Sequence, residues 1–293
     1  MQIAFHIGAN CTDEDRLLKS LLKNVDSFLQ QGIGVPGPSR YRSLIREAIQ
    51  GLAGKRPDPG ARDILLDAIT ETEGLRRLVL SNDNFVCVPN RIFDHDMLYP
   101  QAEAKVSALR RLFPEDEISL FLGIRNPASF LHETMRRVTV DNLDDYLGVL
   151  EPQDIRWSDM VRRIKKAAPD IPLTVWCNED TPLLWEQLIR RMSGVDPQTP
   201  VKGGLDLLAS ILTPEGLIAL SDLLAQNPDA TDAHRHALIA TIWKDHALPE
   251  VIEDEIDLPG LDAAMVAHLT GTYAQDLGVI AAMPGVELLL PFR

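Results

Sequence analysis

IAFHIGANCTDEDRLLKSLLKNV, residues 3–25, contains the transition that decides the fold. An apolar run at residues 3–7 ends at Gly8, and beyond a few small or polar residues the leucines recur at the spacing of one helix face. This order predicts a strand, a short loop and an amphipathic helix over residues 14–31. Loops of this kind bind phosphate when their backbone N–H groups point at the anion.

The same alternation of helix and strand continues along the chain. Three further apolar runs predict strands, and each follows a segment with helical periodicity. The strands are expected at 75–80, 118–124 and 171–177, after helices at 61–72, 101–113 and 158–168. Strands separated by helices predict an α/β fold with a central, mostly parallel sheet flanked by helices.

The pattern changes after Pro200. Segments 205–212, 214–226, 231–246 and 261–282 have helical periodicity, with no further strand signal between them. We therefore expect an α/β core over residues 1–200 and a helical C-terminal extension over residues 201–293 that packs on the core.

Composition excludes several classes of partner. Among the 293 residues, 43 Asp and Glu outweigh 29 Lys and Arg, which gives a formal net charge of −14. This charge disfavours nucleic acid and anionic membrane surfaces as partners, and no apolar stretch is long enough for membrane insertion. Three scattered cysteines indicate neither a disulfide framework nor a metal site, so we expect a cytoplasmic protein.

Five segments, taken in order, resemble the sulfotransferase family, particularly its bacterial members. They are HIGAN (6–10), LVLSNDNF (78–85), FLGIRNPASFLHETMRRV (121–138), TVWCNEDTPLLWEQLIRRMSG (174–194) and TGTYAQDLGVIAAMPGVELL (270–289). The resemblance implies a fold similar to P-loop kinases. It also implies transfer of a sulfuryl group from 3′-phosphoadenosine 5′-phosphosulfate (PAPS) to a small-molecule or carbohydrate acceptor.

The first segment covers the loop that holds the donor in that family, approximately His-Ile-Gly-x-x-Lys-Thr-Gly-Thr-Thr-Ser. The family pattern is matched at His6, Ile7, Gly8 and Thr12. The resemblance therefore implies Gly8, Ala9 and Thr12 as cofactor-binding residues, with PAPS or adenosine 3′,5′-bisphosphate as the cofactor if the site still functions.

The chain departs from this pattern at four positions. Cys11 stands at the lysine, Asp13 at the second glycine, and Glu14 and Asp15 at the hydroxyl positions. Two like charges about 4 Å apart repel by roughly 4 kcal/mol at an effective dielectric constant near 20, so we expect a polyanionic donor to be rejected. The other interpretation is local, because Thr12 and Asp15 have the spacing of a helix capping box.

The resemblance also implies a site for the donor's 3′-phosphate in the segment 121–138, where a predicted strand passes into a helix. Arg125 matches the family's arginine, whereas its serine falls on Glu133, with Ser129 one turn earlier. Arg125 and Ser129 are thus candidate cofactor-binding residues. Alternatively, Arg125 pairs with a carboxylate such as Asp83 or Glu133.

One histidine is a candidate catalytic base. His95 follows a predicted strand and lies between Asp94 and Asp96, which could orient it for proton abstraction. A surface histidine in an acidic loop explains the same residues. His234 and His236 are two positions apart on a helix, so we expect a surface pair and no metal site.

Three functions follow from these features. The leading hypothesis is a sulfotransferase-like protein with a degenerate donor site that acts in binding or regulation. An active transferase with an altered donor site is the alternative, in which Arg40 and Arg42 could hold an acidic acceptor. A carbohydrate-associated protein that needs no nucleotide is the third, and the acidic residues 250–262 could meet a basic protein partner.

Overall fold

The computed structural model describes residues 1–252 and 256–292. Its strands are β1 (Gln2–His6), β2 (Ile33–Gly34), β3 (Arg77–Ser81), β4 (Glu117–Ile124), β5 (Leu173–Cys177) and β6 (Val286–Leu289). All neighbouring strands pair in parallel, in the order β2-β3-β1-β4-β5-β6. The predicted α/β class with a parallel sheet is confirmed.

Helices cover both faces of this sheet. The helices of the described residues are α1 (Arg16–Leu22), α2 (Val25–Leu29), α3 (Arg42–Leu52), α4 (Ala61–Ile69), α5 (Ala102–Leu112), α6 (Pro127–Met135), α7 (Leu143–Leu147), α8 (Trp157–Ala167), α9 (Thr181–Ser193), α10 (Pro214–Ala225), α11 (Asp232–His246), α12 (Pro249–Ile252) and α13 (Ala263–Ala281). Ile3 and Phe5 of β1 pack in the core under α3, α5, α8 and α13, whereas Ala4 packs in the opposite core under α1, α2 and α9. Burial on both faces explains why the strands are continuous apolar runs.

The C-terminal third consists of two different parts. Helices α10 and α11 enclose a small core of their own, with Leu208, Leu220 and Ile239, and Leu183 of α9 packs against it. In contrast, α13 contributes Leu269 to the main core, and β6 extends the sheet beside β5. We call the first part, residues 205–248, the helical appendage.

Two strands differ from the predicted pattern. The expectation of only helices after Pro200 is wrong at β6, because a four-residue edge strand is too short to show periodicity. The two-residue β2 lies in the stretch GIGVPG, residues 32–37, whose glycines and proline favour a loop. Segment 205–212 is also not a full helix, since only Leu208–Ser210 form a 3-10 turn.

The predicted helix over residues 14–31 is interrupted. It forms as α1 and α2, and the break lies at Asn24, whose backbone has φ −106° and ψ 6°. The buried Asn24 amide donates to the carbonyl of Lys202 at 2.8 Å and accepts from its N–H at 2.7 Å. A tertiary contact of this kind is invisible to helical periodicity.

Among the helices of residues 1–252 and 256–292, none combines the length and the hydrophobicity that crossing a membrane requires.

Candidate ligand-binding site

A cavity of about 370 Å³ lies at the carboxyl edge of the sheet. After β1 the chain builds β2 and β3 on one side, and from β4 onward it builds the other side. Open α/β sheets bind ligands at such a switch point. The lining comes from the loop after β1, the start of α6, the start of α9 and the helical appendage with α12: Cys11, Thr12, Asp13, Glu14, Arg16, Arg125, Ser129, Glu133, Asn178, Glu179, Thr181, Pro182, Trp185, Leu207, Ile211, Trp243, Val251 and Ile252.

Gly8 and Ala9 form the base of the loop behind the cavity. The N–H of Gly123 donates to the carbonyl of Gly8 at 2.8 Å, and the N–H of Ala9 donates to that of Gly123 at 2.7 Å. Gly8 has φ 114°, and an added Cβ would lie 3.1 Å from the carbonyl oxygen of Asp83. These two residues shape the loop, but neither lines the cavity.

The other three predicted cofactor-binding residues come together at the cavity. The hydroxyl of Thr12 donates to the carbonyl of Ala9 at 2.7 Å. Arg125 donates from Nε to the Ser129 hydroxyl and from Nη1 to the Cys11 carbonyl, both at 3.0 Å. The guanidinium therefore joins the ends of β1 and β4, and Arg125, Ser129 and Thr12 all line the cavity.

The acidic residues of the loop bind partners within the protein. Asp15 accepts hydrogen bonds from Arg42 at 2.5 and 3.0 Å, and Glu14 pairs with Arg137 of the segment after α6. The hydrogen bonds from Arg42 lower the pKa of Asp15. Two of the three carboxylates at residues 13–15 are therefore paired with arginines. The loop repels an anion less strongly than the three acidic residues of the sequence suggest.

The predicted capping box does not form. Asp15 occupies the N-cap of α1 in left-handed conformation, with φ 63°, and makes no side-chain cap. Asp13, one position after the expected cap Thr12, caps the helix instead, since its Oδ2 accepts from the N–H of Leu17 at 3.1 Å. The hydroxyl of Thr12 does not cap the helix and donates instead to the carbonyl of Ala9.

The backbone of this loop presents N–H donors. Within the described residues, the N–H groups of residues 11–15 form no hydrogen bond. Backbone donors in proteins are normally satisfied by protein, water or ligand. These N–H groups are therefore left to water or to a ligand.

Cys11 is a neutral thiol at neutral pH. Burial raises its pKa to about 11, although the positive charges of Arg137 and Arg125 oppose the shift. A neutral thiol is a poor nucleophile and carries no charge.

Part of the cavity lining is apolar. It is formed by Trp185 of α9, Trp243 of the helical appendage, and Val251 and Ile252 of α12. No pattern in the sequence predicts that Trp243 lines a cavity, because only tertiary packing brings the appendage over the end of β5. Glu179, two residues after the end of β5, also lines the cavity.

The structure does not bring His95 to the cavity. His95 lies exposed on a 3-10 turn with φ 56° and is absent from the lining. Its expected partners are engaged elsewhere: Asp94 pairs with Arg91 at 3.0 Å, and Asp96 accepts from the N–H of Val149 at 3.1 Å. Neither carboxylate is available to orient the imidazole as a catalytic base.

Other sequence predictions also change. His236 is buried, and its Nδ1 accepts from the N–H of Phe292 at 3.2 Å, so the expected surface pair with His234 is wrong.

In the described part of the chain no three His, Cys, Asp or Glu side chains are arranged to hold a metal ion. Arg40 pairs with Glu71 and Arg42 with Asp15, and neither arginine lines the cavity. Of the acidic stretch 250–262, residues 253–255 lie outside the described residues.

No protein-family model matches the chain, and no curated protein matches it either.

Proposed function

We propose that this chain is a divergent sulfotransferase-like protein that binds a small anionic molecule in the cavity and does not carry out conventional sulfuryl transfer from PAPS. One observation carries the proposal: the neutral, buried Cys11 occupies the position at which the family pattern has a lysine. Sulfuryl and phosphoryl transfer depend on positive charge placed where negative charge develops. The described residues that line the cavity supply only Arg16 and Arg125 as cations.

Two measurements test this function. The protein is titrated calorimetrically with adenosine 3′,5′-bisphosphate at low and at physiological salt, and is incubated with labelled PAPS and a panel of alcohols, amines and carbohydrates. We expect weak, salt-sensitive binding and no transfer, because backbone donors remain while the lysine is gone. Robust PAPS-dependent sulfation of any acceptor would overturn the proposal.

An active transferase with an altered donor site is the second candidate, and the placement of Arg125 favours it. Its guanidinium lies beside Ser129 and the loop carbonyl of Cys11, where it could hold a phosphate of the donor. Arg125→Ala should then abolish activity measured well below its melting temperature, which should itself fall, because the guanidinium joins the ends of β1 and β4. Arg162→Ala, which removes an exposed arginine of α8, is the matched control. Full activity of folded Arg125→Ala would assign the residue a structural role only.

The cytoplasm is the compartment we propose for this activity. Cys11, Cys87 and Cys177 are free buried thiols, which fits a reducing environment. Cell fractionation followed by immunodetection tests this placement.

A further inference from the structure

A second groove, also of about 370 Å³, shares no lining residue with the cavity described above. It lies where the segment after β3 meets the start of α8, and its apolar part consists of Met97, Leu98, Leu150 and Ile155. Leu98 and Ile155 are buried at its base, whereas Met97 is 42% exposed. Beside Leu150, Val149 is 78% exposed, more than any other large apolar side chain of the described residues.

Tertiary contacts fix this apolar surface in place. The N–H of Val149 donates to the Asp96 carboxylate at 3.1 Å, and the hydroxyl of Tyr146 donates to the carbonyl of Pro89 at 2.9 Å. The ring of Phe93 packs edge-on against Tyr146, with 5.0 Å between the ring centroids. These contacts join the segment after β3 to the segment around α7, so the surface is formed before a partner arrives.

The same two segments concentrate the negative charge of the protein. Residues 88–97 and 141–159 contain eight Asp and Glu against two Arg, which gives −6 of the net charge of −14 in 29 of the 293 residues. Asp144, Glu151 and Asp154 form no ion pair with any residue that the structure describes. A surface of this kind attracts basic partners and repels nucleic acid and anionic lipid.

The arginines at the groove are engaged by the protein itself. Arg162 pairs with Asp159 at 2.5 Å, and Arg156 and Arg163 donate to backbone carbonyls nearby. Of the described charged side chains at the groove and in its two flanking segments, those without a partner are carboxylates. A basic segment would gain ion pairs here, and an acidic one would not.

We propose that this groove docks a basic, partly apolar segment of a protein partner. An apolar side chain of that segment covers Met97, Val149 and Leu150, and its Lys or Arg side chains face the carboxylates of residues 141–154. Exposed apolar surface framed by polar residues is typical of interaction sites, and complementary charge selects the partner. The inference goes beyond the proposed function, because this surface is separate from the candidate ligand-binding site.

Two synthetic peptides probe the charge preference of the full-length protein. The first is a fluorescein-labelled peptide of two Lys-Leu-Ala-Lys-Leu-Ala-Lys repeats, and the second has Glu in place of every Lys. We expect the basic peptide to bind by fluorescence anisotropy and to weaken about tenfold between low and physiological salt, because salt screens exposed charges. The acidic peptide should not bind.

A first pair of variants locates the apolar contact. Met97→Ser combined with Val149→Ser should weaken the basic peptide about fivefold or more, because apolar burial is lost. Both side chains are already exposed, so the variant should keep the melting temperature of the parent protein. Ile64→Ser combined with Ile218→Ser is the matched control, since these side chains are 70% and 64% exposed and do not line the groove.

A second pair of variants locates the charge contact. Asp144→Asn combined with Glu151→Gln should weaken the basic peptide and reduce the salt dependence of its binding. Asp67→Asn combined with Asp222→Asn removes two exposed carboxylates of α4 and α10 and should leave both unchanged.

Three outcomes would overturn the inference: no binding of the basic peptide, binding of the acidic one, or equal effects of the test and control variants. Sedimentation equilibrium covers another occupant. A dimer that Met97→Ser with Val149→Ser dissociates, without any binding of the basic peptide, would assign the groove to a second copy of this chain and reject a basic partner.

Discussion

The guanidinium of Arg42 and the carboxylate of Asp15 form a two-point ion pair, with N–O distances of 2.5 and 3.0 Å. Arg42 also donates to the carbonyl of Ser81 at 2.9 and 3.1 Å. One side chain of α3 thereby connects the loop after β1 to the end of β3. The left-handed conformation of Asp15 is held by this contact.

Asp15→Asn should lower stability in a pH-dependent manner. The hydrogen bonds from Arg42 lower the folded-state pKa of Asp15 below its ordinary value of 3.8, so the unfolded state binds more protons in the acid range. The stabilisation is present above about pH 4 and is lost as the pH falls through the folded-state pKa. We expect a loss of about 1 kcal/mol at pH 7, discounted for partial exposure of the pair. Urea unfolding at pH 7 and at pH 3 measures it, and a constant difference at both values would contradict the assignment.

Glu14→Gln should strengthen anion binding. Glu14 is the carboxylate that pairs with Arg137 at the rim of the cavity, and the pair is half exposed and easily broken. Removing the negative charge leaves Arg137 available to a bound anion, so affinity for pyrophosphate should rise about twofold to fivefold. Glu71→Gln, which breaks the exposed pair with Arg40 away from the cavity, is the control. Unchanged affinity in Glu14→Gln would show that Arg137 does not reach the ligand.

Asp83→Asn should stabilise the protein at neutral pH. Burial raises the pKa of Asp83, and the charges of Asp13 and Asp15 raise it further, so the ionised carboxylate opposes folding. Because the folded-state pKa is the higher one, this penalty is absent at low pH and grows as the pH rises. We expect a gain of at most about 1 kcal/mol at pH 7 by urea unfolding. Asp67→Asn on the exposed side of α4 should change nothing, and destabilisation by Asp83→Asn would refute the sign.

The cysteines should be unreactive in the native protein. Burial raises the pKa values of Cys11 and Cys87 to about 11 and that of Cys177 to about 12. Little thiolate is therefore present at pH 7.5. Titration with a chromogenic disulfide reagent should show slow reaction in buffer and rapid reaction of three thiols in urea. Rapid native reaction of Cys11 would mean that the loop opens.

Gly8→Ala should be strongly destabilising. The residue has φ 114°, and a Cβ would lie 3.1 Å from the carbonyl oxygen of Asp83 and 3.3 Å from the N–H nitrogen of Asn10. Conformational strain and backbone crowding together should cost about 2 kcal/mol or more. Gly271→Ala offers the contrast, because Gly271 lies inside α13 with open space around it and should gain up to about 1 kcal/mol. Equal melting temperatures of Gly8→Ala and the parent protein would contradict this account.

Local sequence was sufficient for the architecture. Four of the strands appear as apolar runs because a parallel sheet covered on both faces needs apolar side chains on both sides. The alternation of these runs with amphipathic segments then requires parallel pairing, and the position of the loop after β1 at the carboxyl edge follows from the order of the elements. The short β2 and β6 escaped this reasoning, since neither is long enough for a repeating pattern.

The chemistry of the cavity was decided by tertiary structure. The sequence shows three acids in succession at residues 13–15, but it does not show that Arg42 and Arg137, distant in the chain, pair with two of them. It also cannot show that the helical appendage brings Trp243 to the end of β5. Periodicity reports which face of an element is buried, because burial acts on each element locally. Ion pairs and cavity walls join residues that are far apart in sequence, so their partners are set only when the elements pack.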